Sequence, residues 1–287
     1  MSKHNTVFFS PGLSKASGKI DYPLKNDVIL HCVSQRSNEF LRLLVSCFLN
    51  IPLSDIESVH LENPIDFRTY DAKELILDIK VLLNNHQMIN FEMQLNISRG
   101  VNWWINRSLL YLCRTFDNLG KSEDYTRLMP AAQISIIDHD LFPHEPQEFY
   151  AQYLLTNRRT GACYTSHFIL NVLYLNHIDL ATREDIDNHL VEWAEAFQAT
   201  TWEELKTIAI NIPSFKEVAE MMYDVDADVS ARSVAEAHEK YLHDLATHKK
   251  IAYMDGLEDG IIKGREENAA EINRLRAILE EHGIPTD

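Results

Sequence analysis

The chain has 287 residues, 45% hydrophobic and 24% charged, which is enough for one large domain or for a domain with an appendage. Its net charge of −16 excludes a protein that merely coats nucleic acid, because non-specific affinity comes mostly from Lys and Arg neutralising phosphates. A nucleic-acid enzyme with a local basic cleft stays compatible with that balance, since residues 181–287 are the more acidic end.

No window approaches the ~18 apolar residues of a membrane span. The apolar piece "VFF" after Lys3 and His4 is too short for a signal segment, so a cytoplasmic protein is expected. Cys32, Cys47, Cys113 and Cys163 lie far apart, with no C-x-x-C pair and with apolar neighbours. That predicts four buried free thiols in a reducing compartment.

Residues 1–23, with "SPGLSKASGK", read as a flexible arm. "NEFLRLLVSCFL" places Phe40, Leu41, Leu44, Val45 and Phe48 on one face and predicts a helix over Asn38–Leu49. Residues 73–83 and 87–95, rich in Ile, Leu, Val and Phe, predict two strands joined by the turn signal "NNH". After Gly100, "VNWWINRSLLYLCRTFDNL" predicts a helix ended by Gly120. "AAQISIID" is a short buried strand, and "EFYAQYLL" with "SHFILNVLYL" a second hairpin. "ATREDIDNHLVEWAEAF" and "TWEELKTIAI" predict amphipathic helices, each opened by a Thr suited to an N-cap with acids in the first turn. From about Val234 a long polar helix follows. The order predicts an α/β chain: a mixed sheet with helices packed on it, then a helical annex.

Two acids interrupt apolar strands: Asp78 in "LILDIKV" and Glu92 in "INFEMQL". Side chains alternate along a strand, so Asp78 shares a face with Lys80, and Glu92 with Gln94. Pairing around "NNH" can bring the two faces together. Carboxylates converging in a partly dry site repel unless a divalent cation joins them, and Mg2+ takes one or two carboxylates and completes its octahedron with waters and phosphate oxygens. The same pattern also fits a sheet with a solvated face, with Lys80 as a surface partner.

An Asp in one strand followed by an acid-x-Lys element in the next resembles the PD-(D/E)XK nuclease core. With Glu-x-Gln as the third element, the chain looks like the Rpn family of recombination-promoting nucleases, also described as PD-(D/E)XK transposases. "NDVILHCVSQRSNEFLRLLVSCFLNIP", "RSLLY", "EDYTRLMPAAQISIID" and the Gly-punctuated "GLEDGIIKG" resemble further segments of that family in the same order. The resemblance covers about residues 24–180 and then the tail, and implies a restriction-endonuclease-like core at 24–180, a helical annex at 181–250 and a helical tail at 251–287.

It implies a Mg2+-dependent DNA endonuclease, with Mn2+ as a substitute, acting in recombination or mobile-element biology. Asp78 and Glu92 would hold the metal, with Asp27 as an added acid from the first helix; Glu39 is a second candidate for that place. Gln94 would stand in the place of the usual lysine, orienting the attacking water or a phosphate oxygen. Arg107 and Tyr111, four apart on one helical face, would contact the phosphate together with Lys80. The alternatives are an Asp27 that caps its helix, and an Arg107 buried against a carboxylate beside a core Tyr111. Gln94 carries no charge, and "VILHC" replaces the family's Phe-Lys after the opening Asp. A catalytically impaired DNA-binding or scaffolding protein is therefore the rival expectation.

Other constellations carry less. "HDLFPHEPQE" groups His139, Asp140, His144 and Glu145, but its two prolines predict a loop. No phosphate-binding glycine loop and no nucleophile motif occurs. Of Trp103 and Trp104, one is expected in the core and the other on a DNA or partner face. Gly256, Gly260 and Gly264 recur at a spacing of four, and Ile272, Leu275, Ile278 and Leu279 form a stripe. Together they predict a homo-oligomer, a dimer formed through the tail.

Overall fold

The computed structural model describes residues 8–64, 78–84, 86–94 and 100–283, Gln94 by its backbone alone. A short helix α1 (Pro11–Lys15) precedes α2 (Asp27–Arg36) and α3 (Asn38–Leu49). The Asn26 side chain caps α2 by accepting from the Val28 and Ile29 amides, and Ser37 caps α3 by accepting from Phe40. Asn50 ends α3 in the left-handed region at φ 52°, which asparagine tolerates better than most residues.

Six strands form one mixed sheet. β1 (Val59–Leu61), β2 (Ile79–Leu83) and β3 (Gln87–Gln94) run antiparallel in sequence order. Helix α4 (Val101–Phe116) returns the chain to β4 (Ala131–Ile137), which is parallel to β3. β5 (Tyr150–Thr156) and β6 (Cys163–Tyr174) form the second hairpin, with β6 parallel to β4 and β5 at the edge. The expected strand over 73–83 is described only from Asp78. The helix expected to run to Gly120 stops at Phe116.

Alternation divides the sheet into two faces. Ile79, Val81, Ile89, Phe91 and Ile134 point into the main core with α2 and α3. Trp104 on α4 packs over the other face, against Ile137, Val172 and Tyr174. Phe48 meets Phe91 edge-on at 5.8 Å and Phe40 meets Trp193 at 5.3 Å, which locks the sheet, α3 and the later helices into one core.

The later helices are α5 (Arg183–Asp187), α6 (Leu190–Gln198), α7 (Trp202–Asn211) and α8 (Lys216–Asp226). Thr182 and Thr201 open α5 and α7 with capping boxes closed by Asp185 and Glu204, as their sequences predict. The single helix expected over 181–197 is broken at His189, which is left-handed at φ 59°.

Two expectations about organisation are corrected. The arm is packed over the residues described: Leu13 and Ile20 are buried, the Ile20 amide donates to the Thr200 carbonyl at 2.8 Å, and the Ser10 amide donates to Glu220 at 2.6 Å. The annex is no separate layer either, because Trp193, Phe197, Phe215 and Met222 share the core of the sheet. The divide in packing falls between Ala235 and Glu236, giving units Met1–Ala235 and Glu236–Asp287.

The second unit is built from the long helix α9 (Val229–Glu281), which begins in the first. Along it Ile272, Leu275, Ile278 and Leu279 are exposed, and a Cβ at Gly256, Gly260 or Gly264 would meet open space. The cysteines are free as expected, but only Cys32 and Cys47 are buried. Cys113 lies on the solvent side of α4, and Cys163 at the outer end of β6. Among the described residues no helix is long and apolar enough to cross a membrane.

Candidate active site

The β2–β3 register settles which faces meet. Ile79 pairs with Phe91 and Lys80 with Asn90, so continuing the ladder by one residue sets Asp78 opposite Glu92. Asp78, Lys80, Asn90 and Glu92 therefore share the face covered by α4. Glu92 also stands level with Ser135 on β4, and Asn90 with Gln133, whose side-chain oxygen accepts from Asn90 Nδ2 at 2.9 Å. Glu92 sits on a buried, partly polar strip with Asp78 half-buried beside it, so the reading of a solvated face does not hold for Glu92.

Glu92 is 4% exposed. Its Oε1 accepts from Arg107 Nε at 2.6 Å, while its Oε2 is buried without a partner. Burial pushes the carboxyl up to about 7; Arg107 works against that shift, and the charges of Asp78 and Asp27 add to it. Asp27 is likewise pushed up to about 7 by burial, against the pull of Arg107. Burial raises Asp78 too, opposed by a backbone hydrogen bond, Lys80 and Arg107. Three carboxylates from α2, β2 and β3 thus share one low-dielectric neighbourhood with the Arg107 guanidinium.

Asp27 occupies the first turn of α2, and Asn26 does the capping, so Asp27 is free of that task. Glu39 is not part of the site: its side chain is 62% exposed and pairs with Arg42 along α3. Arg107 is not a free phosphate ligand in this state. It is bound to Glu92, with its guanidinium carbon 4.8 Å from the Tyr111 ring centre and 5.4 Å from that of Trp103.

Trp104 is the tryptophan in the core, as one of the pair was expected to be, and Trp103 lies against Arg107. Gln94 closes β3 level with Ile137; its side chain lies outside the described residues. The stretch around His139 is a loop, in which Asp140 accepts from Asn176 at 2.7 Å and meets His177 Nε2 at 2.6 Å.

Sequence reasoning missed Asn63. Its Nδ2 donates to the Asp78 carbonyl at 2.6 Å and its Oδ1 accepts from the Lys80 amide at 2.9 Å. It thereby fixes the backbone on both sides of Ile79 and holds Asp78 at its station. The dipeptide Asn63-Pro64 was the available signal, since an Asn before Pro marks a turn whose side chain bonds to backbone.

Among the described residues the candidate donors are mutually repelling carboxylate oxygens, one of them buried without a partner, which suits a hard divalent cation. Among the described residues no three His, Cys, Asp or Glu side chains stand close enough together to hold one ion. Mg2+ needs only one or two carboxylates, with water and phosphate oxygens for the rest, so Asp78 and Glu92 fit it.

A mixed sheet with acids on adjacent central strands, flanked by helices on both faces, is a restriction-endonuclease-like fold. The model of the PD-(D/E)XK nuclease family transposases matches residues 29–252, and the chain belongs to that family. The match extends well past residue 180 into α9, in keeping with the shared core. It begins two residues after Asp27, so Asp27 rests on geometry alone. No match was found among curated proteins or among solved structures.

Proposed function

We propose that the protein is a Mg2+-dependent DNA endonuclease of the recombination-promoting Rpn type, cytoplasmic, hydrolysing phosphodiester bonds, with Mn2+ as a substitute ion. The observation that carries the reading is Glu92 Oε2: a buried carboxylate oxygen without a partner, opposite a second carboxylate, in a chain of a nuclease family. Family membership implies a DNA substrate, and the residues supply roles for it.

Asp78 and Glu92 would hold the ion, with Asp27 completing the negative field. When bound, the ion acidifies a water and neutralises charge developing on the phosphate. Gln94 is assigned to orienting the attacking water or a phosphate oxygen. Lys80, on the shared face, attracts the phosphate, and Tyr111 donates a hydrogen bond to it. Arg107 keeps Glu92 Oε1 occupied, so that Oε2 is the oxygen offered to the cation, and its exposed side faces the DNA backbone. Self-association through the α9 stripe would give an assembly with two such sites, which suits cutting both strands.

A second reading has its own support. Arg107 already pairs with Glu92 without any ion, as in a protein that binds DNA and does not cut it. Plasmid cleavage in Mg2+, Mn2+, Ca2+ and EDTA separates the two. The nuclease cuts in Mg2+ and Mn2+, is silent in EDTA, and loses activity in Asp78→Asn and Glu92→Gln. Equal cutting by those variants, or none by the wild-type chain in any ion, removes the assignment.

A further inference from the structure

We propose that β5 is a self-association edge: two copies of this chain pair their β5 strands antiparallel and continue the sheet across a two-fold axis.

β5 ends the sheet, and β6 is the one strand it pairs with among the described residues. The Tyr174 amide donates to the Phe149 carbonyl at 2.9 Å. In an antiparallel ladder bonded and unbonded positions alternate, so Phe149, Ala151 and Tyr153 bond to β6. The backbone groups of Gln152 and Leu154 then turn outward.

Free edges are normally blunted by Lys, Pro or a bulge. From Phe149 to Thr156 there is no charge and no proline. The register shifts between Leu154 and Thr156 put the extra residues on β6, so the outer rim of β5 stays regular. Tyr153, Leu154 and Leu155 are 41%, 39% and 52% exposed, a run of large apolar side chains on both faces of the strand. An apolar cleft of about 270 Å³, lined by Leu109, Leu112, Phe142 and Phe168, continues the patch beside Tyr153 and Leu155.

The charges say what covers it. Glu145 and Glu148 precede β5, Arg158 and Arg159 follow it, and all four are exposed and make no ion pair among the described residues. Antiparallel pairing of β5 with itself sets the acidic entry of one copy against the basic exit of the other, twice by symmetry. Glu148 and Arg158 are equally distant from Tyr153 along the chain, so a pairing centred on Tyr153 makes them partners. This complementarity opposes the repulsion of two chains of net charge −16 each.

The test is site-specific and uses the full chain, so that association through the tail does not confuse it. At the two-fold centre Tyr153→Cys places two thiols on facing strands. On mild oxidation it yields several-fold more covalent dimer than the wild-type chain, whose exposed Cys113 and Cys163 set the background. Adding Glu148→Arg suppresses the cross-link, and adding Arg158→Glu to that restores it. A yield at background, or one indifferent to the charge exchange, overturns the proposal, including the case in which another protein's peptide occupies the edge. Hydrogen exchange needs no cysteine: the Gln152 and Leu154 amides are protected in the wild-type chain, exposed in Glu148→Arg and protected again in the double exchange. Unprotected amides in the wild-type chain overturn it equally.

Discussion

At the scale of single residues, the proposed chemistry turns on one buried carboxylate with one oxygen bonded to an arginine and the other without a partner. Glu92 stands at about 7 in the fold against an ordinary 4.5, so the folded protein holds its proton more tightly than the unfolded chain does. That stabilises the metal-free fold fully below pH 4.5 and is lost as pH rises through about 7. In EDTA, Glu92→Gln therefore melts close to wild type at pH 5 and several degrees above it at pH 8, for a gain of at most about 3 kcal/mol. Equal melting at pH 8 would mean that the carboxylate is not strained. Arg107→Ala acts in the opposite direction, because it leaves the Glu92 charge buried and unpaired. The arginine is one-third exposed, side-chain accessibility 34%, so the cost should be about 1–3 kcal/mol at pH 8, less than for a fully buried pair. At pH 5 the cost shrinks, since Glu92 takes up a proton instead. Urea denaturation at the two pH values measures both numbers, and a pH-independent loss would point to packing on Trp103 and Tyr111 as the main role of Arg107.

At the scale of elements, the site is a hairpin clamped from outside and roofed by a helix. Asn63 makes two backbone hydrogen bonds to β2, worth about 1 kcal/mol each. Asn63→Ala should lose about 1–2 kcal/mol of stability and also most cleavage, although the residue is assigned no contact with DNA. Full activity in a destabilised variant would show that Asp78 keeps its place without the clamp. The hairpin was legible in the sequence because its apolar and acidic residues alternate with period two on both sides of a turn signal. The helix Asn38–Leu49 was legible because its apolar face repeats every three to four residues. The Asn63 clamp was not, since a side chain bonding to backbone fifteen residues on leaves no period. Nor was the packing of residues 8–23 legible: Ile20 and Ser10 find partners at Thr200 and Glu220, and local composition says nothing of a surface so far along the chain. The capping boxes at Thr182 and Thr201 were legible since each is complete within four residues. The turn at His189 was not, because it demands a left-handed residue where the sequence offers neither Gly nor Asn.

At the scale of the whole molecule, the core that carries the acids closes at Ala235, and the described apolar residues beyond Leu245 are exposed along α9. Truncation after Tyr253 should leave the melting temperature unchanged and lower the average mass in light scattering at micromolar concentration. A fall in melting temperature would mean that the core needs the tail, and an unchanged mass would leave the α9 stripe without a role in assembly. The strongly acidic balance of the chain also bears on the site, because a negative field opposes DNA unless something positive is added where the acids converge. The account rests on that added charge being a divalent cation on Asp78 and Glu92. Calorimetric titration of Mn2+ into the full chain, without DNA, tests this most directly. The account predicts a saturable site in the wild-type protein that is lost in both Asp78→Asn and Glu92→Gln. No binding by the wild-type chain, or the same isotherm in either variant, would contradict it.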